Sequence, residues 1–289
     1  MIAPNPARDP ERSGSLGPLV ISSFTLGTKL SFEDRVQAAA SAGFEGIGLR
    51  AENFWDAEQS GLDADDMIAI AAGYGVRILE VEYLTGWGIP AERDSAQRQK
   101  EETVFTMARA FGVSHVNAGL LEPLPREVIT TGFGELCDRA GSDLTVALEF
   151  MPYSGIPDLA TAWQIVQDAD RPNSGLLIDA WHWVRAGTTI AELEPVPADR
   201  IVAVQLSDVQ AQPMDPLRAE SLTHRLPPGD GYGDPIGLIR ALRAKGVQPR
   251  IMAVEVTSDE LMARGAGIAA LTVGQAARGV LARSTSTPA

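Results

Sequence analysis

The strongest constraint on this chain is an alternation. Short Val/Ile/Leu-rich runs, each followed by a longer stretch of helical period, recur along almost its whole length. The segments AASAGFEGIGL, AAGYGVRILEV and ARAFGVSHVNA repeat one design, in which an Ala-rich helix end meets a Gly turn and then an apolar strand. Parallel strands need a long crossover connection, so strand and helix in alternation predict a parallel sheet covered by helices. Strands are expected at 19–24, 46–49, 76–83, 115–118, 145–150, 175–179, 201–206 and 251–256. Helices are expected at 31–42, 63–74, 96–111, 125–139, 159–167, 235–245 and 258–281, with only a short or irregular piece around 188–193. Ser31 reads as an N-cap before Glu33 and Asp34, and Gly43, Gly112 and Gly246 stand where helices should stop. Eight units in 289 residues with 45% hydrophobic content predict a single-domain α/β protein, a (β/α)8 TIM barrel. No Gly-x-Gly-x-x-Gly follows the first strand, which argues against an open dinucleotide-binding sheet.

The barrel is expected over 18–283. Residues 1–17, rich in Pro, Arg, Asp and Ser, read as a flexible arm, and 284–289 as a disordered Ser/Thr/Pro tail. The net charge of -14 opposes binding to nucleic acid or an anionic membrane, and no apolar run is long enough for a membrane span. A small-molecule partner and a cytoplasmic location are the resulting expectations. The one cysteine, Cys137, lies in an expected helix and reads as a small buried hydrophobe, which leaves no disulfide framework within one chain.

In a barrel, residues at the carboxyl ends of the strands point into one mouth on rigid supports. Four consecutive strands end on a metal-capable group: Glu149 in TVALEFMP, Asp179 in GLLIDAWHW, Gln205 in IVAVQLSD and Glu255 in IMAVEVTS. A carboxylate within an apolar strand is costly unless compensated, and three on neighbouring strands also repel one another. A divalent cation resolves both problems. Taken singly, each acid has an ordinary explanation as a strand cap paired with an arginine or a helix N-terminus.

These motifs, together with FEGIGL, LEVEYL and HRLPPGDG, resemble the xylose-isomerase-like barrel superfamily of sugar isomerases and epimerases over nearly the whole chain. That superfamily also holds inosose and dehydroshikimate dehydratases, C-glycoside-cleaving enzymes and endonuclease IV. The resemblance implies metal ligands Glu149, Asp179, Gln205 and Glu255, with Gln205 standing where His is more usual. An amide oxygen in place of imidazole makes the expected site all oxygen, which favours Mn2+ or Mg2+ over Zn2+ or Co2+. With only three histidines, the chain does not suit the multi-zinc site of endonuclease IV.

The resemblance gives His182 a substrate or acid/base role. It could instead pack between Trp181 and Trp183, or turn inward to replace the missing imidazole. Glu82 is the expected polar substrate contact on strand three, with Glu80 on the same side by strand alternation. Arg225 sits in a loop like the superfamily's R-x-x-P-G-x-G and offers a fork of donors for a carboxylate, hydroxyl or phosphate. Asp208 is expected to contact substrate or merely to fix its loop. Trp55, Tyr83, Trp87, Phe150, Tyr153, Trp181 and Trp183 suggest an aromatic mouth, with Trp87 and Trp181 as substrate contacts.

Glu149 and Glu255 on opposite sides of the ion would exchange a proton beside a polarised carbonyl, which is isomerase or epimerase chemistry on a sugar or related hydroxy-ketone. A leaving group β to the enolate would turn the same start into a dehydratase or lyase reaction. A non-catalytic binding barrel is the third reading, in which Gln205 marks loss of the metal. Association as a homodimer or homotetramer is implied by the resemblance alone.

Overall fold

The computed structural model describes residues 16–285, and its eight parallel strands form one nearly closed barrel. The strands are β1 (Leu19–Ile21), β2 (Gly46–Arg50), β3 (Arg77–Glu82), β4 (His115–Ala118), β5 (Thr145–Glu149), β6 (Ser174–Asp179), β7 (Ile201–Leu206) and β8 (Ile251–Val254). Neighbours pair in the order β3-β2-β1-β8-β7-β6-β5-β4. The gap between β3 and β4 is bridged by Leu84, whose N–H donates to Asn117 O at 2.9 Å and whose carbonyl accepts from Gly119 N at 3.0 Å. The strands match the expected positions, but β1 and β8 stop earlier because Ser22–Leu26 and the segment after Val254 turn away to form the mouth.

Helices α1 (Phe32–Ser41), α3 (Ala64–Gly73), α4 (Ser95–Ala110), α5 (Arg126–Ala140), α6 (Leu159–Ala169) and α9 (Pro235–Ala244) lie within a residue or two of their expected bounds. Their starts follow the anticipated chemistry: Ser31 Oγ accepts from Asp34 N at 3.1 Å, and Gly43, Gly112 and Gly246 take positive φ after the last turns. Three short helices at the mouth were not anticipated. They are α2 (Ala51–Gln59), α7 (Ala180–Arg185) and α8 (Leu217–Thr223), too short to show a clear period. The expected helix 258–281 is two, α10 (Asp259–Ala263) and α11 (Ala266–Thr285), broken at Gly265 with φ +90°. Helix α11 continues through Ser284, which is buried, to the exposed Thr285, so the helix runs past the expected boundary at 283. The expected arm falls mainly on residues 1–15, and most of the expected tail on 286–289; both stretches are outside the described residues. Leu16 is buried. Among the described residues no helix is long and apolar enough to cross a membrane.

Strand alternation sorts the side chains into two layers. Val146, Leu148, Leu176, Ile178, Val204, Leu206, Met252 and Val254 belong to the large core between sheet and helices. Val20, Ala147, Leu177, Ala203 and Ala253 form a smaller cluster inside the barrel. Two residues further along each strand, the same parity delivers Ser22, Glu149, Asp179, Gln205 and Glu255 to the carboxyl end of the lumen. Cys137 is buried in α5, where burial pushes its thiol up to about 12, so it is not a reactive thiolate.

Candidate active site

A cavity of about 350 Å3 opens at this end of the barrel, lined among others by Glu82, Glu149, His182, Gln205, Arg225 and Glu255. Asp179, fully buried, forms part of its floor chemistry through its neighbours. Its Oδ1 caps α7 by accepting from His182 N at 2.9 Å, and its Oδ2 takes Arg225 Nη1 at 2.7 Å. The β6 acid therefore orients both the histidine and the arginine.

The structure supplies a cation of its own. Arg225 Nη1 also lies 3.3 Å from Glu255 Oε2, while its Nε and Nη2 donate to Ser221 O and Ser221 Oγ. Burial alone would lower this guanidinium, but Asp179 and Glu255 outweigh it and hold it protonated. Most of the fork offered by Arg225 is thus spent on the protein. Glu255 also accepts from Ser22 Oγ at 3.2 Å, and the same hydroxyl stands 3.0 Å from Glu82 Oε1.

Glu149 is placed differently. It is buried, its Oε1 has no hydrogen-bond partner among the described residues, and that atom lies 3.7 Å from His182 Nε2. Burial and then the neighbouring Asp179 and Glu255 push its carboxyl well above the usual carboxylate range. Burial, with Arg225 nearby, lowers His182 well below its ordinary value, so its imidazole is neutral. Beneath them, Gln205 Nε2 reaches Glu80 Oε1 at 3.3 Å and Glu82 Oε2 at 3.4 Å, and Asn117 donates to Glu80 at 2.8 Å. Burial and Glu255 raise Glu82 to about 7, and burial and Glu82 push Glu80 well above the usual carboxylate range. Gly48 makes room for Glu80: a Cβ there would stand 2.5 Å from Glu80 Oε2.

The donors fit a divalent cation. Glu149, Asp179 and His182 each bring one ligand atom within 4.8 Å of the others, and the buried Oε1 atoms of Glu149 and Gln205 both lack a hydrogen-bond partner among the described residues. This cluster departs from the expected all-oxygen set. His182 turns toward Glu149, while Glu255 and the Gln205 amide nitrogen are engaged elsewhere. A mixed nitrogen–oxygen cluster weakens the case for Mn2+ or Mg2+ over Zn2+ or Co2+.

Three expected substrate contacts lie outside the cavity wall. Trp87 is buried against Phe133 and donates to Gly119 O at 2.9 Å. Trp181 is buried behind His182 and donates to Glu220 at 3.2 Å. Asp208 faces the loop that follows it, accepting from Val209 N, Gly229 N, Gly231 N and Gly233 N at 2.8–3.1 Å. Each has a polar group that must be satisfied in the interior, and the backbone or a neighbouring acid satisfies it there. Of the seven aromatics expected at the mouth only Tyr83 and Tyr153 line the cavity, joined by Phe24. Sequence reasoning missed Ser22, Arg50 and Ser221. Arg50 was legible by the same strand-end rule that found the acids, since it closes GIGLR of β2.

A model of the xylose isomerase-like TIM barrel family matches residues 36–276. The chain belongs to that family. A 3-dehydroshikimate dehydratase of Pseudomonas aeruginosa is 24% identical over 245 residues, 81% of this chain and 37% of that protein. An inosose isomerase of Halalkalibacterium halodurans is 30% identical over 120 residues, 41% of each chain. The chain thus spans well under half the length of the curated relatives it matches. The crystal structure of an IolI protein with a bound zinc atom superposes with a TM-score of 0.81 at 21% identity, covering 93% of this chain and all of that one. At that identity the likeness establishes the fold.

Proposed function

We propose that this barrel is an enzyme that removes a proton from a carbon next to the carbonyl of a hydroxylated, ring-sized ketone, with Glu149 as the base. The observation that carries this is the unpartnered Oε1 of Glu149, a buried carboxylate oxygen on the wall of a cavity large enough for a six-membered ring. Glu149, Asp179 and His182 would hold a divalent cation, which when bound lowers the pKa of nearby acids and polarises a carbonyl. Neutral His182, whose Nε2 lies 3.7 Å from Glu149 Oε1, would serve as an uncharged ligand to that ion. Arg225 offers fixed positive charge where negative charge grows on the substrate oxygen.

The two glutamates are unequal. Glu149 Oε1 takes no hydrogen bond from a described residue, whereas Glu255 is engaged by Arg225 and Ser22. This asymmetry suits one-base chemistry, such as loss of water β to the carbonyl or a proton shift on one face, better than two-base epimerisation. The dehydratase relatives matched over 81% of the chain support elimination, and the inosose isomerase stretch supports a proton shift as the second reading.

The test incubates the protein with 3-dehydroshikimate and with inosose in deuterated water, and repeats both with Glu149→Gln. Elimination yields a product lighter by water with new ultraviolet absorption; a proton shift yields an isomer carrying deuterium. The variant is expected to lose at least about a hundredfold in rate. Undiminished turnover by Glu149→Gln would refute its role as base, and absence of exchange and product with both ketones would favour a binding barrel.

A further inference from the structure

The chain carries a net charge of -14, yet its cavity is lined by Arg50, Lys100, Arg218 and Arg225 as well as by acids. Two of these cations are committed: Arg225 to Asp179 and Glu255, and Lys100 to Glu52 at 2.6 Å. The other two donate no side-chain hydrogen bond to a described residue, and Arg50 has only a long ion pair with Glu82. Arg50 closes β2 with its guanidinium stacked 3.4 Å from the centroid of the Phe24 ring. Its side chain is 21% exposed, and its Nε, buried without a hydrogen-bond partner among the described residues, stands 4.0 Å from Glu82 Oε1. Its guanidinium donates no hydrogen bond to any described residue. Arg218, exposed on α8, likewise has no hydrogen bond or ion pair among them. It shares the α8 face with Ser221, Leu222 and the following Arg225, at i, i+3, i+4 and i+7, and all four line the cavity.

A largely buried guanidinium with unused donors is an expensive arrangement unless something arrives to accept from it. Stacking on Phe24 fixes the plane of Arg50 and leaves its edge free, which is the geometry that receives two oxygens of one oxyanion. We propose that Arg50, assisted by Arg218, binds an anionic group of the substrate, a carboxylate or a phosphate, so that the ketone processed at Glu149 is an acid rather than a neutral sugar. This rests on the cavity being the substrate site, but not on the identity of the base.

Binding alone tests it, without turnover. Cyclohexanecarboxylate and glycerol 3-phosphate are compared by calorimetry with their neutral counterparts cyclohexanol and glycerol, on wild type, Arg50→Gln, Arg50→Lys and Arg218→Gln. At least one anion is expected to bind about tenfold or more tighter than its neutral partner, and which one does so separates carboxylate from phosphate. Arg50→Gln should abolish the preference, Arg50→Lys should keep part of it, and Arg218→Gln should weaken it. Arg218 is exposed, so its variant should fold, and circular dichroism checks the Arg50 variants. Equal binding of anion and neutral partner by wild type overturns the proposal, as does a preference that survives intact in folded Arg50→Gln. Failure of the proton-exchange experiment would leave these outcomes unchanged, so the two ideas fail separately.

Discussion

Asp208, an acid beside the mouth, has a mechanical task in the structure: it fixes the loop that follows it. Its Oδ1 accepts from Val209 N and Gly233 N, both at 2.8 Å, and its Oδ2 from Gly229 N and Gly231 N at 3.0 and 3.1 Å. Replacing it by Asn turns one of these oxygens into a donor, which leaves two backbone N–H groups facing an NH2. A hydrogen bond to a charged acceptor contributes about 1.5–3 kcal/mol, and part of the loss is recovered by water at the half-exposed loop. The expected cost of Asp208→Asn is therefore about 3 kcal/mol. At roughly 2–4 °C per kcal/mol for a domain of this size, Tm should fall by about 6–12 °C in scanning calorimetry. The backbone bridge between Asp208 and Leu226, with N···O distances of 2.8 and 3.0 Å, does not involve the side chain, so Arg225 should stay in place. Ligand affinity in the folded variant should accordingly match wild type. A fall in Tm below about 2 °C, or a stable variant that has lost ligand binding, would refute the reasoning and return Asp208 to the substrate.

Two further outcomes follow from buried charge. Burial, with Arg250 nearby, depresses His115 to about 3, so the folded state resists a proton that the unfolded chain accepts below about 6.5. Stability should therefore fall as pH drops from 6.5 toward 3, by about 3 kcal/mol at pH 4.5, and His115→Gln should flatten that loss in urea titrations at pH 7 and 4.5. Parallel pH profiles for the two proteins would exclude it. Arg225→Met strands the carboxylates of Asp179 and Glu255 and should cost about 3–5 kcal/mol. Because the guanidinium would compete with a divalent cation for Asp179, Mn2+ should raise the Tm of the variant more than that of wild type. Equal rises in both would contradict the competition.

Much of the barrel was legible because its signals are local and repeated. The Gly stops at Gly43, Gly112 and Gly246, the Ser31 cap and the apolar strands each report on a few neighbouring residues, and strand parity then sends Glu149, Asp179, Gln205 and Glu255 to one mouth. The short helices α2, α7 and α8 were not legible, since fewer than three turns carry too little period to distinguish them from loops. Their absence from the sequence reading mattered most at the site, because α7 carries His182 and α8 carries Ser221 and the rim arginine Arg218.

What the sequence by itself determined was the set of residues that share the carboxyl end of the barrel, since period-two alternation and consecutive strands require only short-range rules. It also posed the electrostatic problem of three acids in apolar strands. Only the tertiary structure decided how that problem is met. Arg225 returns from the loop after β7 to bridge Asp179 and Glu255, Trp87 and Trp181 turn into the interior to satisfy their N–H groups, and His182 closes on Glu149. Those choices depend on side chains whose partners lie 30 to 46 positions away in the chain, Asp179 and Arg225 being the widest pair, and no local pattern encodes which partner a long polar side chain will find.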